Sequence, residues 1–359
     1  MTVQNVKRLA VIDGETLMDA RLPKRNFCVE TLLPEGISML GGAPKVGKSW
    51  MVLLLALQVA KGEPLWNLPT KQGTVLYLAL EDSQSRLQDR LNRLTDEAPT
   101  SLFFATVAGT IGDELCMQIS KFKLDHPDTV LVIIDTFQIV RSNGVETSYA
   151  NDYEEVRTLK ALADDLKISL LLVHHLRKQG DSYPLNKLSG TTGISGAMDA
   201  VFILDRSKRN ANGATLFCTG RDIQNREIEL LLKKETCEWE LKSDSMEEET
   251  LTLPEEITLL IEMMKQLKSF DGGNTELAEK FNSFSGKNIS AKALKQLMNK
   301  WRYTLEENDV FFTSGRSNGK RYIKTWYLPS ADESDGSDGS DAKKRVRKTS
   351  VFSVPCVPA

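Results

Sequence analysis

The sequence is poor in residues that staple or ligate. Its five cysteines, Cys28, Cys116, Cys218, Cys237 and Cys356, are odd in number and scattered, and with three histidines they form no CxxC or Cys/His ligand cluster. Neither a disulfide framework nor a structural zinc is expected, which points to a reduced, cytoplasmic protein. No apolar run of about 18 residues occurs, and the start MTVQNVKRLAVIDGE lacks the charged-then-apolar layout of a secretory signal. No membrane partner is expected. Excess charge is missing too: 46 Lys and Arg stand against 49 Asp and Glu, a net charge of -3 over 359 residues. The chain is no polycation, so any nucleic-acid contact has to be local.

What the sequence does contain is alternation. From about residue 36 to 242, short apolar runs alternate with charged helical segments, the βαβ rhythm of an α/β domain with a mostly parallel sheet covered on both faces. ISML (37–40), TVLYLAL (74–80), SLFFATV (101–107), TVLVIID (129–135), ISLLLVH (168–174) and AVFIL (200–204) are almost continuously apolar, as fully buried strands should be. ATLFCTG and EIELLLK read as later strands with an antiparallel option. Residues 1–35 are expected to pack on this core. An acidic linker follows over 243–253 and a smaller domain over 254–329.

In that smaller domain Ile257, Leu260, Ile261, Met264 and Leu267 mark one helix face, and TELAEKF follows a Gly-Gly break. A helix from Ser290 turns Leu294, Leu297 and Trp301 inward, with Lys292, Lys295, Asn299 and Arg302 on the other side. VFFTSGRSNGKRYIKTWYL then reads as a hairpin about Asn318-Gly319. This is the order of a winged helix-turn-helix. From Lys287 to Lys324 basic residues outnumber acidic ones by six, which makes either a local nucleic-acid contact or a solvated basic face. The Ser/Asp/Gly-rich tail, 330–359, is expected to be disordered.

Gly42-Ala43-Pro44-Lys45-Val46-Gly47-Lys48-Ser49 fits G-x-x-x-x-G-K-[ST] and lies between the strand ISML and a helix that opens with Ser49 and Trp50. The glycines let the backbone wrap so that its amides face phosphate oxygens at a helix N-terminus. Lys48 is the expected ligand of the β- and γ-phosphates of ATP, and Ser49 a ligand of Mg²⁺. TVLVIID ends in Asp135, the expected second group at the metal. TVLYLAL ends before Glu81, which either activates the attacking water or favours a helix dipole, with Asp82 or Ser83 as helix cap. His174 and His175 close a strand and face opposite sides, so they cannot share a ligand; His175 either senses the γ-phosphate or is an ordinary histidine.

With GGAPKVGKSW, YLALEDS, VIIDTF, LLVHH, SGTTGISGAMDAVF and TGRDI in order, the chain resembles, over roughly residues 10 to 242, the RepA-like branch of the RecA-type P-loop ATPases. That branch includes hexameric replicative helicases of plasmids and related ATPases of mobile elements. The resemblance implies a ring of subunits with ATP between them, single-stranded DNA as substrate, and a replication initiator or primase as partner. It also implies Gly42 to Ser49 as phosphate loop, Glu81 as catalytic glutamate, Asp135 as Walker B aspartate and His175 as sensor. Arg221, with Arg226 as alternative, falls near the position of an arginine finger that reaches a neighbour's nucleotide. The 254–329 region departs from the family pattern, which leaves a nucleotide-gated DNA-binding regulator or loader as the alternative to a motor.

Overall fold

In this computed structural model the described residues are 10–20, 22, 25–141, 149–176, 196–206, 212–246, 253–317 and 320–329. The chain forms two compact units, one of Leu22–Leu251 and one of Met1–Arg21 with Thr252–Ala359. The N-terminal segment is thereby divided: helix α1 (Gly14–Asp19) is grouped with the C-terminal unit, while β1 (Phe27–Val29) and β2 (Leu33–Pro34) stand in the larger one.

The larger unit continues through β3 (Gly36–Gly42), α2 (Lys48–Lys61), β4 (Thr74–Ala79), α3 (Gln84–Leu94), β5 (Leu102–Ala105), α4 (Leu115–Asp125), β6 (Thr129–Asp135), α5 (Phe137–Val140), α6 (Tyr149–Leu166), β7 (Ser169–His175), β8 (Ala200–Asp205), β9 (Gly213–Gly220), β10 (Arg226–Leu232) and β11 (Trp239–Asp244). A nine-stranded sheet runs β11-β10-β9-β8-β3-β7-β6-β4-β5. The six strands from β8 to β5 are parallel, and β9, β10 and β11 extend the sheet antiparallel. This is an α/β core with a mostly parallel central sheet.

Side-chain parity builds the two cores on either face. Leu131 and Ile133 join the cluster under α2, while Val132 and Ile134 join the one containing Leu115, Ile119, Leu159 and Ala163 of α4 and α6. β3 and β6 are buried at every position, as strands with both faces covered must be, whereas β9 and β10 alternate between covered and open positions. β11 reaches Asp244, so the linker begins later than its acidic composition suggested.

The C-terminal unit runs α7 (Glu255–Leu267), β12 (Ser269–Gly272), α8 (Asn274–Ser285), α9 (Ala291–Lys300), α10 (Arg302–Glu307), β13 (Val310–Ser317) and β14 (Lys320–Tyr327). Its core joins Ile257, Leu260, Met264, Leu277, Phe281, Leu294, Met298, Phe312 and Ile323. Ser290 caps α9 through the Ala293 amide. β12, read from the sequence as a mere break, pairs with β14 from Ser269↔Trp326 to Gly272↔Ile323. With one large apolar residue in four it carries no strand pattern of its own, and the ladder to β14 makes it a strand. Lys295 and Arg302 do not form an open face: Lys295 bonds Ser314, and both lie over the Phe312 ring. The hairpin tip at Asn318-Gly319, the loop RKQGDSYPLNKLSGTTGISG up to residue 195 and the tail 330–359 lie outside the described residues.

Candidate nucleotide site

The loop from Gly42 to Ser49 joins the end of β3 to the start of α2. Lys45 and Gly47 take left-handed φ values of 65° and 107°. At Gly47 a side chain is barred for a second reason, since a Cβ would stand 2.7 Å from the Trp239 ring. The Trp239 indole donates to the Gly47 carbonyl at 3.1 Å, and the Arg206 guanidinium lies over the same indole. Ala43, Pro44 and Lys45 are exposed, Ser49 and Trp50 half-buried, and Val46 and Lys48 buried.

Lys48 is 4% exposed, yet its ammonium meets no carboxylate at ion-pair distance among the described residues. It donates to the carbonyls of Gly42 at 2.9 Å and Ala43 at 3.1 Å, and lies 3.1 Å from His175 Nδ1. Burial pushes it down to about 8, with the Asp135 and Glu81 charges opposing. Asp135, also buried, is raised above its ordinary value by burial, against hydrogen bonds from Ser49 and Tyr77. The Tyr77 hydroxyl donates to Asp135 Oδ2 at 2.9 Å. A buried cation facing neutral partners beside a buried carboxylate forced upward is a pair of opposite frustrations. A phosphate group answers the first and a divalent cation the second, so these residues fit a nucleotide with Mg²⁺ held by Ser49 and Asp135.

Glu81 stands half-exposed just past β4. Its Oε1 accepts from the buried Thr136 hydroxyl at 3.0 Å and lies 3.5 Å from His175 Nε2. Ser83 caps α3, and Asp82 is held by Arg86 and Arg90. The sheet order explains the grouping. β7 lies between β3 and β6, with His175 in register with Gly42, so its imidazole spans from Lys48 to Glu81. His174 turns to the other face, beside Phe137.

Lys48, Ser49, Glu81, Asp135 and His175 are therefore brought together, and Arg221 is not. Arg221 follows β9 where Gly220 pairs with Ala200, at the amino ends of the parallel strands, and it is 57% exposed with a bond to the Gly196 carbonyl. Arg226 is buried and paired with Asp244 at 3.2 Å. Sequence reasoning missed Tyr77, Thr136, Arg206 and Trp239. For Tyr77 a signal existed: a hydroxyl inside the buried run TVLYLAL has to find a partner. Among the described residues no group of three His, Cys, Asp or Glu could hold a metal unaided, and no helix is long and apolar enough to cross a membrane.

Residues 3–181 match the AAA domain family. Curated relatives include the DNA repair protein RadA of Campylobacter jejuni, 30% identical over 154 residues, covering 42% of this chain and 30% of that protein. RadA of Streptococcus pyogenes is 28% identical over 152 residues, again 42% and 30% of the two chains. RadA of Chlamydia pneumoniae is 27% identical over 148 residues, 40% and 29%. The chain thus spans about three tenths of the length of these relatives. Among solved structures, a DnaB-like replicative helicase described with its interactions with primase aligns over 57% of each chain, at a TM-score of 0.48 and 16% identity. The similarity to the AAA domain family thus takes in the loop at Gly42 to Ser49, Asp135 and His175 of the larger unit.

Proposed function

We propose that the protein is an ATP-hydrolysing motor on DNA, a helicase or translocase of the RepA-like type that works as a homo-oligomeric, hexameric ring in replication of a mobile element. The observation that carries this reading is the convergence of Lys48, Ser49, Glu81, Asp135 and His175 at the carboxyl ends of β3, β4, β6 and β7. The RadA relatives, named as DNA repair proteins, support DNA as the substrate.

Magnesium bound with the nucleotide would supply charge neutralisation at the phosphates. Ser49 and Asp135 would hold it, and Tyr77 fixes the Asp135 carboxylate by a hydrogen bond. Lys48 exchanges its carbonyl partners for phosphate oxygens, where its charge counts most as charge develops in the transition state. Glu81, aimed by Thr136, takes the proton of the attacking water. His175, one nitrogen toward Lys48 and the other toward Glu81, relays the state of the γ-phosphate into the segment after β7. Arg221, at the far end of the sheet from its own Lys48, acts only on a neighbour's nucleotide, so turnover depends on assembly.

A second reading, a nucleotide-gated DNA-binding regulator or loader, is favoured by the order α7-β12-α8-α9-α10-β13-β14, which is that of a winged helix-turn-helix. Steady-state ATP hydrolysis with and without single-stranded and duplex DNA separates the two, with Lys48→Ala as the blank. The motor predicts strong stimulation by single strands with little sequence dependence. Slow turnover indifferent to single strands, with selective duplex binding, favours the regulator.

A further inference from the structure

Lys287 and Lys324 of the C-terminal unit find carboxylates on its own helices and strands. Lys287 pairs with Glu255 at 2.6 Å and Glu256 at 2.9 Å, and Lys324 pairs with Asp271 at 2.8 Å. Arg316 is different. The carboxylate it meets, Glu15 at 3.5 Å, is 301 residues away in sequence and belongs to α1.

The hairpin register makes this contact telling. Arg316 of β13 stands directly opposite Arg321 of β14, and like charges so placed repel. Arg321 makes no ion pair among the described residues; Asp271 and Glu276 line a pocket beside both arginines, and Glu15 is the carboxylate at ion-pair distance from Arg316. The α1 helix is poorly anchored there. It has six residues, too few to persist as a helix without docking, and its Leu17 and Met18 remain 48% and 65% exposed. Glu15 and Met18 roof a small cavity with Asn274, Lys295, Arg321 and Tyr322. The Asn274 side-chain oxygen is buried without a hydrogen-bond partner among the described residues. An ion pair this exposed contributes little, so the cover opens at low cost.

We propose that the Arg316/Arg321 notch binds a phosphate of duplex DNA and that α1 is its displaceable cover, with Glu15 occupying the phosphate position in the resting protein. The inference rests on the reading of the C-terminal unit as a DNA-contacting part. A phosphate relieves the arginine pair as Glu15 does, and it brings more acceptor oxygens in a geometry that suits guanidinium groups. Phosphate and Glu15 cannot occupy the notch together, so DNA binding and α1 docking exclude each other.

The test is anisotropy of a short fluorescein-labelled duplex titrated with the full-length protein over a range of salt. Glu15→Gln is expected to bind several-fold tighter at low salt and to steepen the log-log salt dependence by about one, because the counterion released from the DNA at Arg316 is then no longer offset by the salt-favoured opening of the Glu15 ion pair. Arg316→Gln is expected to weaken binding, and Glu15→Gln added to it to bring no gain. Wild-type affinity in Glu15→Gln alongside weakened Arg316→Gln would overturn the cover and leave DNA contact standing. Binding untouched by both Arg316→Gln and Arg321→Gln would overturn the notch, and absence of duplex binding by the wild type and every variant would overturn the DNA-contacting reading on which it rests.

Discussion

At the carboxyl end of the parallel sheet Lys48 and Asp135 are buried with no opposite charge in ion-pair contact among the described residues, whereas on the C-terminal unit Lys287, Lys324 and Arg316 lie against carboxylates at the surface. Their shifts follow suit. Burial drives Lys48 down and Asp135 up, while carboxylate hydrogen bonds lift Lys287 and Lys324 above the ordinary lysine value. In sequence both regions show lysines among polar neighbours. The first buries charges that no opposite charge meets at ion-pair distance among the described residues, and buried charges of that kind mark a place for a ligand. The second carries its charges at the surface, where Lys287, Lys324 and Arg316 are paired with carboxylates and Arg321, among the described residues, is not, so its basic excess overstates the open positive charge.

The comparison is broken most severely at Lys48. Lys48→Ala should lower ATP turnover by about a thousandfold or more, as loss of a charge that acts in the transition state does. Its melting temperature should hold or rise, because a buried charge without a counter-charge is removed. Wild-type turnover in that variant would end the phosphate-loop assignment. Glu81→Gln comes next, with kcat reduced about 10²- to 10⁴-fold and nucleotide binding by calorimetry intact. A loss under about threefold would return Glu81 to the role of a charge near the start of α3.

The pH dependence sharpens the same contrast. Because the folded Lys48 value, about 8, lies below the ordinary 10.5, the native protein gives up this proton before the unfolded chain does. Its contribution to the stability of ligand-free protein therefore rises as pH climbs from about 8 to 10.5. Nucleotide affinity should move the other way, falling up to about tenfold per pH unit above that point. Titration in EDTA against Lys48→Met isolates the effect. The smallest change is expected at the C-terminal surface, where Lys287→Ala should cost a small drop in melting temperature that disappears in high salt.

Legibility differed between residues for physical reasons. The strands, the loop at Gly42 to Ser49, Asp135 and Glu81 were readable because each rests on a local pattern: apolar runs, glycine spacing, a carboxylate at a strand end. His175 was singled out as a strand terminus, but its partners came from β7 lying between β3 and β6. Trp239 and Arg206 carry no sequence signal, since they reach the loop only because the antiparallel strands fold back beside it. The choice between Arg221 and Arg226 turns on one being exposed and the other buried with Asp244.

The sequence by itself determined that an α/β layer would form and that a glycine-bounded turn would open α2, because hydrophobic period and glycine spacing act over a few residues. Tertiary structure alone decided which strand lies beside which, and so that Lys48, Glu81 and His175 meet. It also decided that α1 closes on a hairpin 301 residues away, for chain proximity says nothing about contacts made across a fold.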